Sequence, residues 1–272
     1  MKKTVEYVIR VLLIWAASAA APATEFSSFD SNTDGWVVVD LADSGPYTTP
    51  VGSFSATYLA SGGNPGGCVS SGDPSSATFY WQAPARFLGN QSGSYGLNLL
   101  WDQRHDGSAT WDNKVDLVLV GAGLTLIRTT GVVPVATWKT STVKLTETGW
   151  HLDLPTGIEP TAAQFKSALA SLSALRIRGE FTSGNETDYL DNVRLVSVPK
   201  LTIGVTPAQS AAIIAFTAET NQSYTLVTST NAAAPLAQWQ VLSNWTGTGL
   251  AVSYLAAPFT SAVNRFYAVR MP

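Results

Sequence analysis

The sequence predicts an all-β protein built from β-sandwiches. Apolar and polar residues alternate through most of the chain after Phe26, and Gly, Asn and Pro interrupt the alternation at short intervals. A period of two turns one face of each strand toward a core, whereas an amphipathic helix repeats every 3.6 residues. Because helices do not separate these runs, the strands are expected to close on each other, and we predict sandwiches.

Two runs show the alternation clearly. Every second residue is apolar in residues 94–101 (SYGLNLLW) and in residues 114–120 (KVDLVLV), so in each run these apolar side chains lie on one face. The Asp106-Gly107 pair between them is a turn signal. The two runs are therefore predicted to be consecutive antiparallel strands, with His105 as a solvated turn residue.

One helix interrupts the strands. Thr161 and Gln164 have the spacing of a capping box, in which the hydroxyl accepts from the third amide and the glutamine reaches back. An apolar stripe at helical spacing follows, made of Phe165, Leu169 and Leu172. The helix is expected to run to about Ser173 and to pack against a sheet.

Composition excludes some classes of partner. The 272 residues include 13% charged residues and have a formal net charge of −3. This balance provides no basic surface for nucleic acid or for an anionic membrane. Cys68 is the only cysteine, so it has no partner for an intrachain disulfide, and we predict that it is a small buried side chain. The lack of disulfides in an exported protein favours a bacterial origin.

The chain divides into three segments by sequence. Residues 1–23 resemble a secretory signal, with a cationic start, a short apolar run and Ala21-Pro22-Ala23 as a cleavage motif. Residues 24–198 form the predicted large domain, and residues 199–272 carry a separate strand rhythm typical of a small Ig-like or fibronectin-like sandwich. We therefore expect a secreted protein without membrane insertion after signal cleavage.

Motifs of the large domain resemble the laminin B (laminin IV type A) family in order and spacing. They are FDSNTDGW (29–36), GGNPGGCVSSGD (62–73), FYWQAPARFLGNQSGSYGLNLLWDQR (79–104), VDLVLVGAGLTL (115–126) and a stretch that ends in LDNVRL (150–195). The resemblance implies a jelly-roll sandwich similar to galactose-binding and carbohydrate-binding modules, with no catalytic residues. The Cys-rich repeats that flank the animal module are absent here, so a basement-membrane role is not implied. The C-terminal segment looks like small modules on secreted proteins of environmental bacteria.

Calcium is one predicted ligand. Asp30 and Asp34 alternate with Asn32 ahead of a glycine, and hard cations prefer such oxygen ligands. In jelly rolls the first and last strands commonly lie side by side, which would bring Asp30 or Asp34 near Asp191. The metal would be structural, and the alternative is that these residues form turns and caps that bond their own backbone.

A glycan or an extracellular surface is the other predicted partner. Trp111 lies in a polar loop with Arg104 and Asp112, and an aromatic residue in such a loop is a better binding candidate than one in an alternating strand. The alternative for Trp111 is a packed side chain that anchors the loop.

The chain is not expected to be an enzyme. His105 and His151 are its only histidines, and neither lies in a recognised catalytic motif. Alternation predicts that Asp102 and Asp116 point outward as strand-surface charges. The function predicted is non-catalytic extracellular binding or adhesion. Two alternatives remain open: a polysaccharide-processing enzyme with a cryptic carboxylate pair, or a purely structural envelope or matrix protein.

Overall fold

A computed structural model describes most of the chain after residue 23. The described residues are 24–107, 114–182, 186–199, 201–205, 211–218, 223–248, 250–256 and 265–271. They divide into two compact units, of which the larger is Thr24–Ser197 and the smaller begins at Val198. Within these ranges, no helix has the length and apolar character that crossing a membrane requires.

The larger unit is a sandwich of two antiparallel sheets, as predicted. Its described strands are β1 (Glu25–Ser27), β2 (Val37–Leu41), β3 (Gly52–Ser55), β4 (Thr57–Leu59), β5 (Cys68–Gly72), β6 (Thr78–Gln82), β7 (Asn98–Asp106), β8 (Leu117–Gly121), β9 (Leu124–Arg128), β10 (Lys139–Lys144), β11 (His151–Leu152), β12 (Leu172–Arg178) and β13 (Thr187–Leu195). The helix α1 spans Ala162–Ala170, and short 3-10 turns cover Ala85–Phe87 and Ser92–Ser94.

The strand order is that of a jelly roll. The first sheet has the order β10-β7-β13-β5-β4, and β1 also pairs with β13, so the first and last strands lie side by side as expected. The second sheet has the order β11-β9-β8-β12-β6-β2-β3. The predicted pairing of β7 with β8 is wrong, because the two strands lie in opposite sheets. Both alternate in the same way since both face the same core, and alternation does not identify the pairing partner.

The core between the sheets is rich in aromatic side chains. Trp36, Trp81 and Trp150 are almost completely buried. Trp36 packs edge-on against Phe87 with ring centroids 5.3 Å apart, and Trp150 packs in the same way against the helix residue Phe165 at 5.4 Å. Edge-to-face pairs at this spacing add to the stabilisation that burial provides. The sandwich therefore holds its two sheets together without disulfides.

The helix begins as the sequence predicts. The Thr161 side chain accepts a hydrogen bond from the Gln164 amide, and the Gln164 side chain accepts one from the Thr161 amide, so both halves of the capping box form. Phe165 and Leu169 are fully buried against the sheet. The helix ends earlier than predicted, at Ala170, because Leu172 already belongs to β12.

Cys68 is fully buried in β5, as predicted. Burial raises the pKa of its thiol to about 11, and the nearby Asp191 carboxylate contributes to the rise. The thiolate is the reactive form of cysteine, so this side chain has the properties of a small apolar residue.

The smaller unit has two three-stranded sheets in its described ranges. Its strands are β14 (Thr202–Val205), β15 (Ala212–Thr217), β16 (Ser223–Ser229), β17 (Gln240–Thr246), β18 (Ala251–Leu255) and β19 (Phe266–Arg270), with a 3-10 turn at Leu236–Gln238. The sheet orders are β14-β15-β18 and β17-β16-β19. Ile214 and Leu226 are fully buried between them, and Trp245 packs on Phe216 with ring centroids 5.8 Å apart. This arrangement agrees with the small sandwich predicted for this segment.

The contact between α1 and the sheet depends on a glycine. A methyl group placed on Gly121 would lie 2.2 Å from the backbone carbonyl oxygen of Ala168 in the helix. We predict that Gly121→Ala lowers the free energy of unfolding by about 1–3 kcal/mol, because the helix backbone must move away. Urea denaturation measures the loss. Gly204→Ala is the control, since a methyl group there meets no atom within 4 Å; equal effects of the two substitutions would contradict the prediction.

Candidate functional site

The pairing of β7 with β13 brings most of the polar side chains of interest together. Its register places Asp188 opposite His105, Tyr189 opposite Arg104 and Asp191 opposite Asp102. Successive residues of a strand point to opposite faces of the sheet. His105 and Asp188 therefore face the interior, whereas Arg104 and Tyr189 face outward.

Asp191, one of the predicted metal ligands, is fully buried at an irregularity of β13. The strand pairs with β5 up to Leu190 and with β1 from Val193, so Asp191 and Asn192 lie where it changes neighbour. The Asp191 carboxylate accepts hydrogen bonds from the amides of Asn64 and Asn192, at 2.6 and 2.7 Å. Burial raises its pKa to about 6 despite these two bonds.

Of the other two predicted ligands, Asp30 lies at the same loop and Asp34 does not. A methyl group on Gly66 would lie 2.6 Å from Asp30 Oδ1, and one on Gly63 would lie 2.8 Å from Asp191 Oδ2, so one glycine-rich loop passes both carboxylates. Asp34 instead pairs with Arg86 at 3.1 Å. The structure therefore brings Asp30 and Asp191 to one loop, and the predicted calcium site remains a prediction.

Arg104, a predicted binding residue, belongs to an outward-facing group that we call the Arg104 platform: Arg104, Asp106, Trp138 and Tyr189. The Arg104 guanidinium carbon lies 3.7 Å from the centre of the Tyr189 ring and 5.7 Å from that of Trp138. The two rings are 6.4 Å apart and nearly perpendicular. Guanidinium groups stack on aromatic faces in this way. The platform therefore presents a cation between two partly exposed aromatic side chains.

Hydrogen bonds hold the platform in place. Asp106 accepts from Arg104 Nη1 at 2.8 Å and from the Tyr189 hydroxyl at 2.7 Å. The Trp138 indole donates to the carbonyl of Gly62 at 3.0 Å. Each side chain is thus pre-oriented, which lowers the ordering cost of binding. The other two predicted binding residues, Trp111 and Asp112, lie outside the described residues.

His105 is not the solvated turn residue that the sequence predicts. It is fully buried, and its Nδ1 lies 2.9 Å from Asp188 Oδ1 and 3.7 Å from Glu186 Oε2. We call these three side chains the His105 cluster. Strand β7 continues through Asp106, so alternation turns His105 inward between two outward-facing charged residues. The strand extends beyond its apolar run, which ends at Trp101, so His105 still belongs to β7 and the turn signal at Asp106-Gly107 follows it.

The prediction that Asp102 and Asp116 are strand-surface charges is also wrong. Asp116 is buried and forms a 2.8 Å ion pair with buried Arg178. Asp102 is buried on the outer side of β7, where it accepts from the Thr140 hydroxyl at 2.6 Å and from the amide side chains of Asn64 and Asn192. Both carboxylates are therefore structural hydrogen-bond acceptors, which removes the solvent exposure that alternation predicts.

Burial raises the pKa of several interior acids. It raises the pKa of Glu186 to about 8, that of Glu180 to about 7 and that of Asp188 to about 6. The Asp188 carboxylate increases the shift at Glu186, whereas the hydrogen bond to His105 opposes the shift at Asp188. The interior near this end of β13 therefore disfavours the ionised carboxylates that it contains.

Sequence reasoning missed Trp138, Tyr189, Glu186 and Asp188. Trp138 immediately precedes β10, and Tyr189 alternates with buried neighbours in β13, so neither lies in a recognisable loop motif. They become neighbours of Arg104 through pairing between strands that are far apart in the chain. The sequence signal that could have found part of the site is the length of β7. A predicted strand that extended to Asp106 would have placed His105 on the inner face.

Comparisons with known proteins agree with the motifs. Residues 80–210 match the family model described as Laminin B (Domain IV). Laminin subunit gamma-2 of Equus caballus is 37% identical over 128 residues, which cover 43% of this chain and 10% of that subunit. Laminin subunit gamma-1 of Xenopus tropicalis is 31% identical over 175 residues, which cover 63% of this chain and 10% of that subunit. The chain thus spans about a tenth of the length of these relatives.

A solved structure has the same fold. The L4b domain of human laminin alpha-2 superimposes with a TM-score of 0.51 at 13% identity, over 64% of this chain and 98% of that domain. At this identity the likeness concerns the fold alone. The family-model match and the laminin gamma relatives show that residues 80–210 of this chain contain a laminin B domain.

Proposed function

We propose that this protein is a secreted, non-catalytic binding protein that recognises a glycan through the Arg104 platform. The observation that carries the proposal is a guanidinium held between two partly exposed aromatic rings on the outer face of a sheet. Sugar rings stack their C–H faces on aromatic planes, and paired polar groups hold the hydroxyls. Arg104 and Asp106 are adjacent groups of this kind, one donating and one accepting.

The relatives support a location outside the cell. They are laminin subunits, which are extracellular proteins, and residues 1–23 have the pattern of a secretory signal. We infer that the exported protein acts as a binding or adhesion module, with the platform as its contact surface.

The burial of the interior acids supports a non-catalytic role. The His105–Asp188 couple has the composition of a general acid–base pair, but both side chains are fully buried. Asp116 and Arg178 line a small pocket and already pair with each other there. In this conformation a substrate therefore reaches neither the His105–Asp188 couple nor the Asp116–Arg178 pair. We propose that the polysaccharide is bound and not cleaved.

The platform is tested by removing one aromatic side chain. We predict that the mature chain is retarded in affinity gels by at least one of the soluble β-glucans, galactans or uronic-acid polysaccharides. Trp138→Ala should weaken that binding about tenfold or more, which corresponds to about 1.4 kcal/mol. The control is Phe54→Ala, which removes an exposed aromatic side chain from the opposite sheet.

Three results would contradict this proposal. Equal binding by Trp138→Ala and wild type would place the contact elsewhere on the chain. Absence of retention by every polysaccharide, with self-assembly of the protein, would favour the structural role. Shortening of the bound polysaccharide, abolished by Asp188→Asn and unaffected by Trp138→Ala, would favour the enzyme.

Structural calcium at the loop beside Asp30 and Asp191 has its own test. A ligand that binds only the folded chain raises its melting temperature, so we predict that chelation of calcium lowers the melting temperature of the wild type. Asp191→Asn should abolish the response. Asp34→Asn should retain it, because Asp34 pairs with Arg86 instead. An unchanged wild-type melting temperature at saturating chelator would remove calcium from the proposal.

A further inference from the structure

The interior around the His105 cluster contains more acids than bases. Among the described residues, Asp116, Glu180, Glu186 and Asp188 are buried there, and the buried basic side chains beside them are Arg178 and His105. Arg178 forms its ion pair with Asp116. Buried anions are costly unless a cation or a metal ion neutralises them. The remaining carboxylates thus favour a positively charged ligand at this position.

Unpaired atoms of the cluster point to the same conclusion. Within the described part of the chain, Asp188 Oδ2, Glu186 Oε1 and His105 Nε2 are buried and have no hydrogen-bond partner. Buried polar side-chain atoms in folded proteins are rarely left in this state. Each of the three side chains therefore has a buried polar atom that is available to an added ion.

The spacing of the three side chains fits a small metal ion. One ligand atom from each of His105, Glu186 and Asp188 lies within 4.8 Å of those of the other two. The two distances from His105 Nδ1 are 2.9 and 3.7 Å. Tetrahedral ligands at the bond lengths of zinc, about 2.0–2.2 Å, are separated by roughly 3.3–3.6 Å. Shifts of a few tenths of an ångström therefore convert the hydrogen-bonded cluster into a coordination site.

We propose that His105, Glu186 and Asp188 bind one divalent transition-metal ion, with Zn²⁺ the best fit, inside the sandwich of the larger unit. An imidazole nitrogen with two carboxylates suits zinc, whereas calcium and magnesium prefer oxygen ligands alone. The site is separate from the Asp30–Asp191 loop and from the Arg104 platform. Because the ligands lie on β7, on β13 and immediately before β13, the metal links two central strands and its role is structural.

Zinc titration of the metal-depleted protein tests the proposal. The chain is produced without a histidine tag, and calcium is kept in the buffer so that hard-cation sites remain occupied. We expect calorimetry to show one Zn²⁺ per chain and an increase in melting temperature on binding. His105→Gln should weaken zinc binding at least a hundredfold. His151→Gln is the matched control and should leave it unchanged, because His151 bonds the Gly157 carbonyl instead.

A measurement on the wild type makes the test independent of any variant's folding. Co²⁺ bound at the cluster should produce one paramagnetically shifted imidazole signal in proton NMR, and added Zn²⁺ should remove it. Failure of the wild type to bind Zn²⁺, absence of a shifted imidazole signal with Co²⁺, or equal zinc affinities of the two histidine variants would each overturn the proposal. Failure of the wild type to bind Zn²⁺ would identify the His105 cluster as a metal-free group of side chains that share protons through hydrogen bonds.

Discussion

The antiparallel pairing of β7 with β13 is the constraint on which the polar architecture of this protein depends. One register places a histidine opposite an aspartate on the inner face, an arginine opposite a tyrosine on the outer face, and two aspartates opposite each other beneath a glycine-rich loop. A slip by one residue would exchange the faces, since side chains alternate along a strand. The core residues of both strands prevent such a slip, because Leu99, Trp101 and Leu190 must remain buried.

The use of charge in this chain is unusual for a sandwich of its size. At least seven of its 19 acids are buried, namely Asp40, Asp102, Asp116, Glu180, Glu186, Asp188 and Asp191. Hydrogen bonds from amides and hydroxyls satisfy Asp102 and Asp191, and an ion pair satisfies Asp116, but the His105 cluster keeps unpaired atoms. Burial of a carboxylate without a partner for its charge is destabilising. We therefore expect the carboxyl groups of this cluster either to be protonated or to bind a cation.

The two faces of one sheet thus have different chemistry on a common scaffold. The outer face presents aromatic and charged groups held by hydrogen bonds, and the inner face buries a histidine with two carboxylates. The laminin B domain at residues 80–210 accounts for the scaffold and not for the side chains on it, because function resides in sites that a fold positions. The proposals for glycan and zinc rest on contacts between residues of this chain.

The sequence by itself determined the sandwich class, the family, the capped helix and the burial of Cys68. These features follow from local patterns: alternation, a capping motif and residue order. The tertiary structure alone decided that His105 is buried and that Trp138 and Tyr189 join Arg104. It also decided that Asp34 pairs with Arg86, whereas Asp30 and Asp191 lie beside the same glycine-rich loop. Such neighbours come from strands distant in the chain, and period-two alternation specifies which face a residue takes but not which strand lies beside it.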